Sequence, residues 1–170
     1  MTVFVALLRA INVGGTGTLP MKELSVLCTD LGLDKVRTYI QSGNVVFESR
    51  LSEEGVRQAL EQSLTERIGK RIDVVVRTAS ELLSVLEANP FPGAQPAKVA
   101  VVFLSDAAHK GLLDNLAIPG GEEVRAGKRE IYIHYPNGMG RSKLKLPSST
   151  GVVTVRNINT VAKLVAMATA

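Results

Sequence analysis

The chain has 170 residues, 45% of them hydrophobic, with a formal net charge of +4. That is enough to bury one medium core or two small ones, as an ordinary globular protein does. A single cysteine, Cys28, excludes a disulfide framework and points to a reducing compartment. The apolar run from Val3 to Leu8 meets Arg9 too soon for a signal peptide or a membrane span, so a cytoplasmic location without membrane contact is expected.

Residues 3–9 read as a buried strand. A polar, glycine-broken loop follows, Arg9-Ala-Ile-Asn-Val-Gly-Gly-Thr-Gly-Thr-Leu-Pro20. Pro20 then opens a helix whose inner face carries Met21, Leu24, Leu27, Cys28 and Leu31, and Gly32 stops it. Val36, Thr38 and Ile40 alternate with Arg37, Tyr39 and Gln41, and after a turn at Ser42-Gly43 a second strand runs from Asn44 to Glu48, giving a hairpin. Ser52 caps a longer helix with Val56, Leu60, Leu64 and Ile68 inside, and residues 72–77 form the next strand. The order β-α-β-β-α-β is that of a ferredoxin-like half.

Thr78-Ala-Ser-Glu81 is a capping box for a short helix that Asn89-Pro90 ends. Pro90, Pro92, Gly93 and Pro96 make a stiff connector. A second cycle then follows: a strand at 99–104, a helix at 106–116, strands at 123–126 and 130–135, a polar loop at 136–143, a short strand at 152–155 and a last helix at about 159–168. The expected fold is α+β: two ferredoxin-like (split β-α-β) halves with antiparallel sheets, plus a C-terminal helix. The expected divisions are a first half with its trailing helix at 1–88, a connector at 89–97, and a second, less regular half at 98–170.

Charge is unevenly placed. After Glu130 come Arg141, Lys143, Lys145, Arg156 and Lys163 with no Asp or Glu at all. Such a bias suits phosphates, acidic partners or nucleic acid, although a solvated basic face accounts for it equally.

In a β-α-β crossover the two parallel strands end at the same side of the sheet. Arg9, Asn12 and the amides of Gly14 and Gly15 therefore share an edge with Gln41, Ser42 and Asn44, and Lys70 and Arg71 flank it. Helix-start amides, side-chain amides and guanidinium groups stabilise negative charge without transferring protons. Against this anion-site reading stands a simpler one, in which the glycines permit special backbone angles while Arg9 and Asn12 tie the loop down. The loop matches neither GxGxxG nor GxxxxGK[ST]. In the second half Arg141 and Lys143 lie in a flexible basic loop. Arg156 and Asn159 stand at the start of the last helix, where Asn157 or Asn159 serves equally as an N-cap.

His109 and His134 have no metal-ligand spacing, so no metal or cofactor is expected and no catalytic residue can be assigned. Ser42 has no identifiable base beside it. Tyr39 and Arg37 could stack on a base, but with seven aromatics and no Trp in the chain a partly buried sheet role is the better reading for Tyr39.

The segments Leu7-Leu-Arg-Ala-Ile-Asn-Val-Gly-Gly15, Leu19-Pro-Met21 and Val36-Arg-Thr-Tyr-Ile-Gln-Ser-Gly-Asn-Val-Val-Phe47 resemble the bacterial family DUF1697. Gly140-Arg-Ser-Lys-Leu144 and Thr154-Val-Arg-Asn-Ile-Asn-Thr-Val161 are similar to its closing motifs. The resemblance implies two ferredoxin-like halves and a cytoplasmic protein, and it implies no particular activity. Ile158 stands where the family often has Trp, and the stretch after Lys143 is shortened, with Leu144-Lys-Leu-Pro-Ser-Ser-Thr-Gly in place of a helix. Three functions remain open at this level: binding of an anionic ligand (a phosphorylated small molecule or nucleic acid), catalysis on an anionic substrate by charge stabilisation, and a protein–protein adaptor using sheet edges.

Overall fold

The computed structural model describes residues 1–9, 20–39, 43–108, 111–147 and 150–170. The chain divides into two compact units, one of Met1–Leu82 with Leu164–Ala170, the other of Leu83–Lys163.

The first unit is built from β1 (Thr2–Leu8), α1 (Met21–Asp30), β2 (Asp34–Tyr39), β3 (Asn44–Ser49), α2 (Glu53–Ile68) and β4 (Val74–Thr78). Its sheet has the order β2-β3-β1-β4, antiparallel throughout. β1 and β2 both pair antiparallel with β3, so they run parallel to each other, as a β-α-β crossover requires. Alternation along β1 sends Phe4, Ala6 and Leu8 to the face that α1 and α2 cover. There they meet Leu24 and Cys28 of α1, Val56, Leu60 and Leu64 of α2, and Val45, Phe47, Val74 and Val76 of the neighbouring strands. Ser52 caps α2 by accepting a hydrogen bond from the Gly55 amide at 3.1 Å, and Gly69 closes it in the left-handed conformation at φ 85°. A register shift lies between Asp34 and Arg37 of β2, where Lys35 has φ 50°.

Thr78 begins α3 (Ala79–Glu87) with the reciprocal bonds of a capping box: the Glu81 amide donates to Thr78 Oγ1 at 3.1 Å, and the Thr78 amide donates to Glu81 Oε1 at 3.0 Å. The second unit continues with β5 (Val99–Leu104), β6 (Glu123–Ala126), β7 (Glu130–His134) and β8 (Val152–Asn157), and α4 (Ile158–Thr169) starts in it and ends among the residues assigned to the first. Its sheet order, β6-β7-β5-β8, repeats that of the first unit strand for strand. The fold is thus α+β, with two four-stranded antiparallel sheets of ferredoxin-like order and a C-terminal helix.

The helix expected at 106–116 is not formed over its described residues. Residues 111–115 make consecutive turns, held by bonds from Asp114 N to Gly111 O and from Leu116 N to Leu113 O. Gly111 at φ 83° has left the helical region. Leu112 and Leu113 nonetheless pack onto the sheet. The apolar spacing there records burial against β5 and β7, and it mimics helical periodicity. His109, which fell in that segment, lies outside the described residues.

Candidate functional site

Three chain connections meet at one end of the first sheet. The Leu8 amide donates to the Gly43 carbonyl at 2.9 Å, and the Arg9 amide donates to the Asp73 carbonyl at 3.0 Å. These two bonds tie the end of β1 to the β2–β3 turn on one side and to the start of β4 on the other. β4 is fixed there in turn by α2, because Glu61 Oε2 accepts from the Val74 amide at 2.9 Å. Arg9 is the first residue past β1, and its side chain is about half exposed, at 53%. One guanidinium nitrogen stands 3.7 Å from Asp73, while Arg71 Nε donates to the same carboxylate at 3.0 Å. Lys70 is exposed beside them. Two cations therefore share one carboxylate, and the edge keeps a net positive charge with these ion pairs counted.

Asn44 opens β3 at this end, wholly buried, opposite Leu7 in the register. Its Nδ2 donates to the Tyr39 carbonyl at 3.0 Å, a bond that clamps the two ends of the hairpin turn. Asn44 thus positions the turn. Tyr39 is half-buried at the end of β2. Asn12, Gly14, Gly15, Gln41 and Ser42 lie outside the described residues.

The remaining candidates belong to the second unit. Arg141 ends a short 3-10 turn, Met139–Arg141, and Lys143 follows in an extended stretch; both are exposed. Between them, Ser142 makes the internal contact. Its hydroxyl donates to Glu122 Oε2 at 3.1 Å and accepts from the Leu144 amide at 3.1 Å, while Glu122 Oε1 accepts from the Gly120 amide at 2.9 Å. Glu122 is buried, and this set of donors satisfies its carboxylate. Arg156 is buried in β8, where Nη1 donates to Thr154 Oγ1 at 2.6 Å and to the Val155 carbonyl at 3.0 Å. Burial lowers its pKa to about 10, which leaves it protonated at neutral pH. Asn157 is the cap of α4: its Oδ1 accepts from the Asn159 amide at 2.8 Å, and its Nδ2 donates to the carbonyls of Pro96 and Ala97. Asn159 is exposed in the first turn.

Two residues escaped the reading of the sequence. Asp73 shares the edge with Arg9, and its position two residues after Arg71, ahead of a strand, was the available signal. Arg77 is the counterpart of Arg156: it is buried, stands one residue before the end of its strand, and donates from Nη1 to the preceding carbonyl, that of Val76, at 3.0 Å. The repeated pattern Val-Arg followed by a capping Thr or Asn was its signal.

The family model described as a protein of unknown function (DUF1697) matches residues 1–132 of the 170. The chain belongs to the DUF1697 family. The matched stretch includes the whole sheet edge around Arg9, Asn44 and Asp73 and ends before the segments at 140–144 and 154–161. This DUF1697 chain is also similar, at 27% identity and TM-score 0.76, to the conserved bacterial protein SP0830 from Streptococcus pneumoniae, with 98% of each chain covered. No curated protein matches it. Among the described residues of the DUF1697 chain, no cluster of three or more His, Cys, Asp or Glu could hold a metal ion, and no helix is long and apolar enough to cross a membrane. His134, half-buried, stands 3.5 Å from Glu123 and packs on Phe91 with ring centroids 5.7 Å apart. Both contacts give it a place within the second unit.

Proposed function

We propose that the protein binds an anionic ligand, a phosphorylated small molecule or a nucleic acid, at the polar end of the first sheet. The observation that carries this reading is the half-exposed Arg9 guanidinium at an edge where Leu8–Gly43 and Arg9–Asp73 backbone bonds draw three connections together. Arg9 and Arg71 compete for one carboxylate, so N–H donors of both remain available to a phosphate. In this reading Asn12, the Gly14 and Gly15 amides, Gln41 and Ser42 complete the donor set, and Asn44 holds the turn that carries two of them. Arg141, Lys143, Arg156 and Asn159 belong to the second unit. The buried, unpaired Cys28 suits a cytoplasmic location.

The test is fluorescence anisotropy with a labelled nucleotide triphosphate and a labelled short RNA, alongside the ultraviolet absorbance ratio and mass spectrum of copurifying material. Loss of a charge-assisted hydrogen bond costs about 1.5–3 kcal/mol, so Arg9→Ala weakens binding by about tenfold or more. Asp73→Asn removes the competing carboxylate and tightens it. Anisotropy that is the same for wild type and Arg9→Ala, with both probes, overturns the proposal.

A further inference from the structure

The two units share a strand order but cover their sheets differently. In the first unit, α1 and α2 lie over the face that carries Phe4, Ala6 and Leu8. In the second, the equivalent face carries Ala100, Val102, Leu104, Ile131, Ile133 and Tyr135. Among the described residues its cover comes from Ala108, Leu112, Leu113, Leu144 and Leu146, residues of turns and extended chain. A helix with its side chains is a body about 10–12 Å across. An extended segment contributes only alternate side chains to one face. Residues 144–146 show that alternation, with Leu144 and Leu146 half-buried and Lys145 exposed. The cover is therefore thin, and a pocket of about 360 Å³ opens against the sheet.

Its floor is Val102 and Ile133 of adjacent strands, with Tyr135 beside them, and its walls include Leu144 and Val155. That volume lies at the small end of the range that small-molecule sites occupy, and the mix of apolar walls and a single polar anchor is their usual chemistry. The one charged residue lining it is Lys145. A lysine at such a rim covers apolar surface with its stem and keeps its ammonium in water. Arg141 and Lys143 precede it on the same segment, and no acidic residue follows Glu130 in the chain. Lys145 sets a positive charge at the rim, Glu122 lies beyond it bonded to Ser142, and the interior is apolar.

We propose that this pocket binds a small anionic amphiphile, a carboxylate on a single hydrocarbon tail, with the tail against Val102 and Ile133 and the carboxylate at Lys145. The site is separate from the anion edge of the first unit and does not depend on it.

Isothermal titration calorimetry of the full chain with decanoate, decanol and decylamine tests the assignment. Decanoate binds, and decylamine, whose charge is reversed, binds about tenfold more weakly. Lys145→Glu, at an exposed position that does not disturb the core, weakens decanoate by about threefold or more and leaves decanol unchanged. Val155→Phe fills the pocket and abolishes binding of both while the melting curve stays cooperative; where that variant fails to fold, Lys145→Glu decides alone. Arg9→Ala changes none of these affinities, which separates this pocket from the proposed edge site. The assignment is overturned by no decanoate binding, by equal affinities for decanoate and decylamine, by an unaltered Lys145→Glu, or by loss of decanoate binding in Arg9→Ala.

Discussion

Cys28 offers a quantitative check on the first core. It sits on the inner face of α1 with no exposed surface, among Leu24, Leu60 and their neighbours, and burial pushes its thiol from an ordinary 9.0 up to about 12. The folded chain thus keeps its proton when the unfolded chain begins to lose it. A group whose pKa is raised by folding contributes its full stability below the unfolded value and loses it as pH climbs toward the folded one. The relevant window opens near pH 9 and closes near pH 12. At pH 8 the unfolded thiol is about one-tenth ionised and the effect is under about 0.1 kcal/mol; by pH 10 it is about 1.4 kcal/mol. Urea unfolding of wild type and Cys28→Ala at pH 8 and pH 10 isolates this term, because titration elsewhere affects both proteins alike. Removing the sulfur leaves a constant offset from lost packing. The stability advantage of the wild type over Cys28→Ala should fall by about 1.4 kcal/mol between the two pH values. An advantage that stays constant refutes the reasoning, since it means that the thiol ionises in the fold as readily as in the unfolded chain.

Further outcomes follow from single local features. Thr78→Ala removes one half of the capping box at α3 and should cost about 1 kcal/mol in chemical unfolding, with Glu81→Ala adding little once Thr78 is gone because the two bonds act as a unit. Gly69→Ala places a side chain at φ 85° with open space around it, so backbone strain alone should cost about 1–2 kcal/mol. Gly93→Ala, equally open but without that backbone requirement, should leave the melting temperature unchanged.

Much of this fold was legible because local signals and burial agreed. Apolar runs placed β1 and β5, and alternation placed the β2–β3 hairpin. Ser52 and the Thr78/Glu81 pair marked helix starts that form with the expected bonds. The segment at 106–116 misled because Leu112 and Leu113 are half-buried by turns that pack onto the sheet, and apolar spacing reports burial before it reports helix. For the site, topology alone brought Arg9 beside the hairpin turn and the start of β4, and the Leu8–Gly43 and Arg9–Asp73 bonds realise that placement. Which way each polar group points was not legible. Asn44 faces inward because its register opposite Leu7 puts it in the packed layer, and Arg156 is buried because β8 flanks the central strand β5. Neither fact is written in residue type.

The strongest pattern missed is a repetition. β4 ends Val75-Val76-Arg77-Thr78 before α3, and β8 ends Thr154-Val155-Arg156-Asn157 before α4. Arg77 pairs with Val5 of one central strand, Arg156 with Val101 of the other, and each donates to the carbonyl just before it at 3.0 Å. A guanidinium tolerates burial only where its hydrogen bonds and charge are met, and the chain buries one at the same position of each repeat. Arg156 also bonds Thr154, where the first repeat has Val75, but equal position, burial in both and the same bond to the preceding carbonyl predict similar consequences. Arg77→Met and Arg156→Met, which keep most of the side-chain bulk, should therefore shift the melting temperature in the same direction and by similar amounts in differential scanning calorimetry. If Arg156 instead serves a ligand while Arg77 serves the fold, the two shifts part: Arg77→Met then lowers the transition and Arg156→Met leaves it level or raises it. A split of that kind refutes the equivalence and assigns the buried charge of β8 to a task beyond the stability of its sheet.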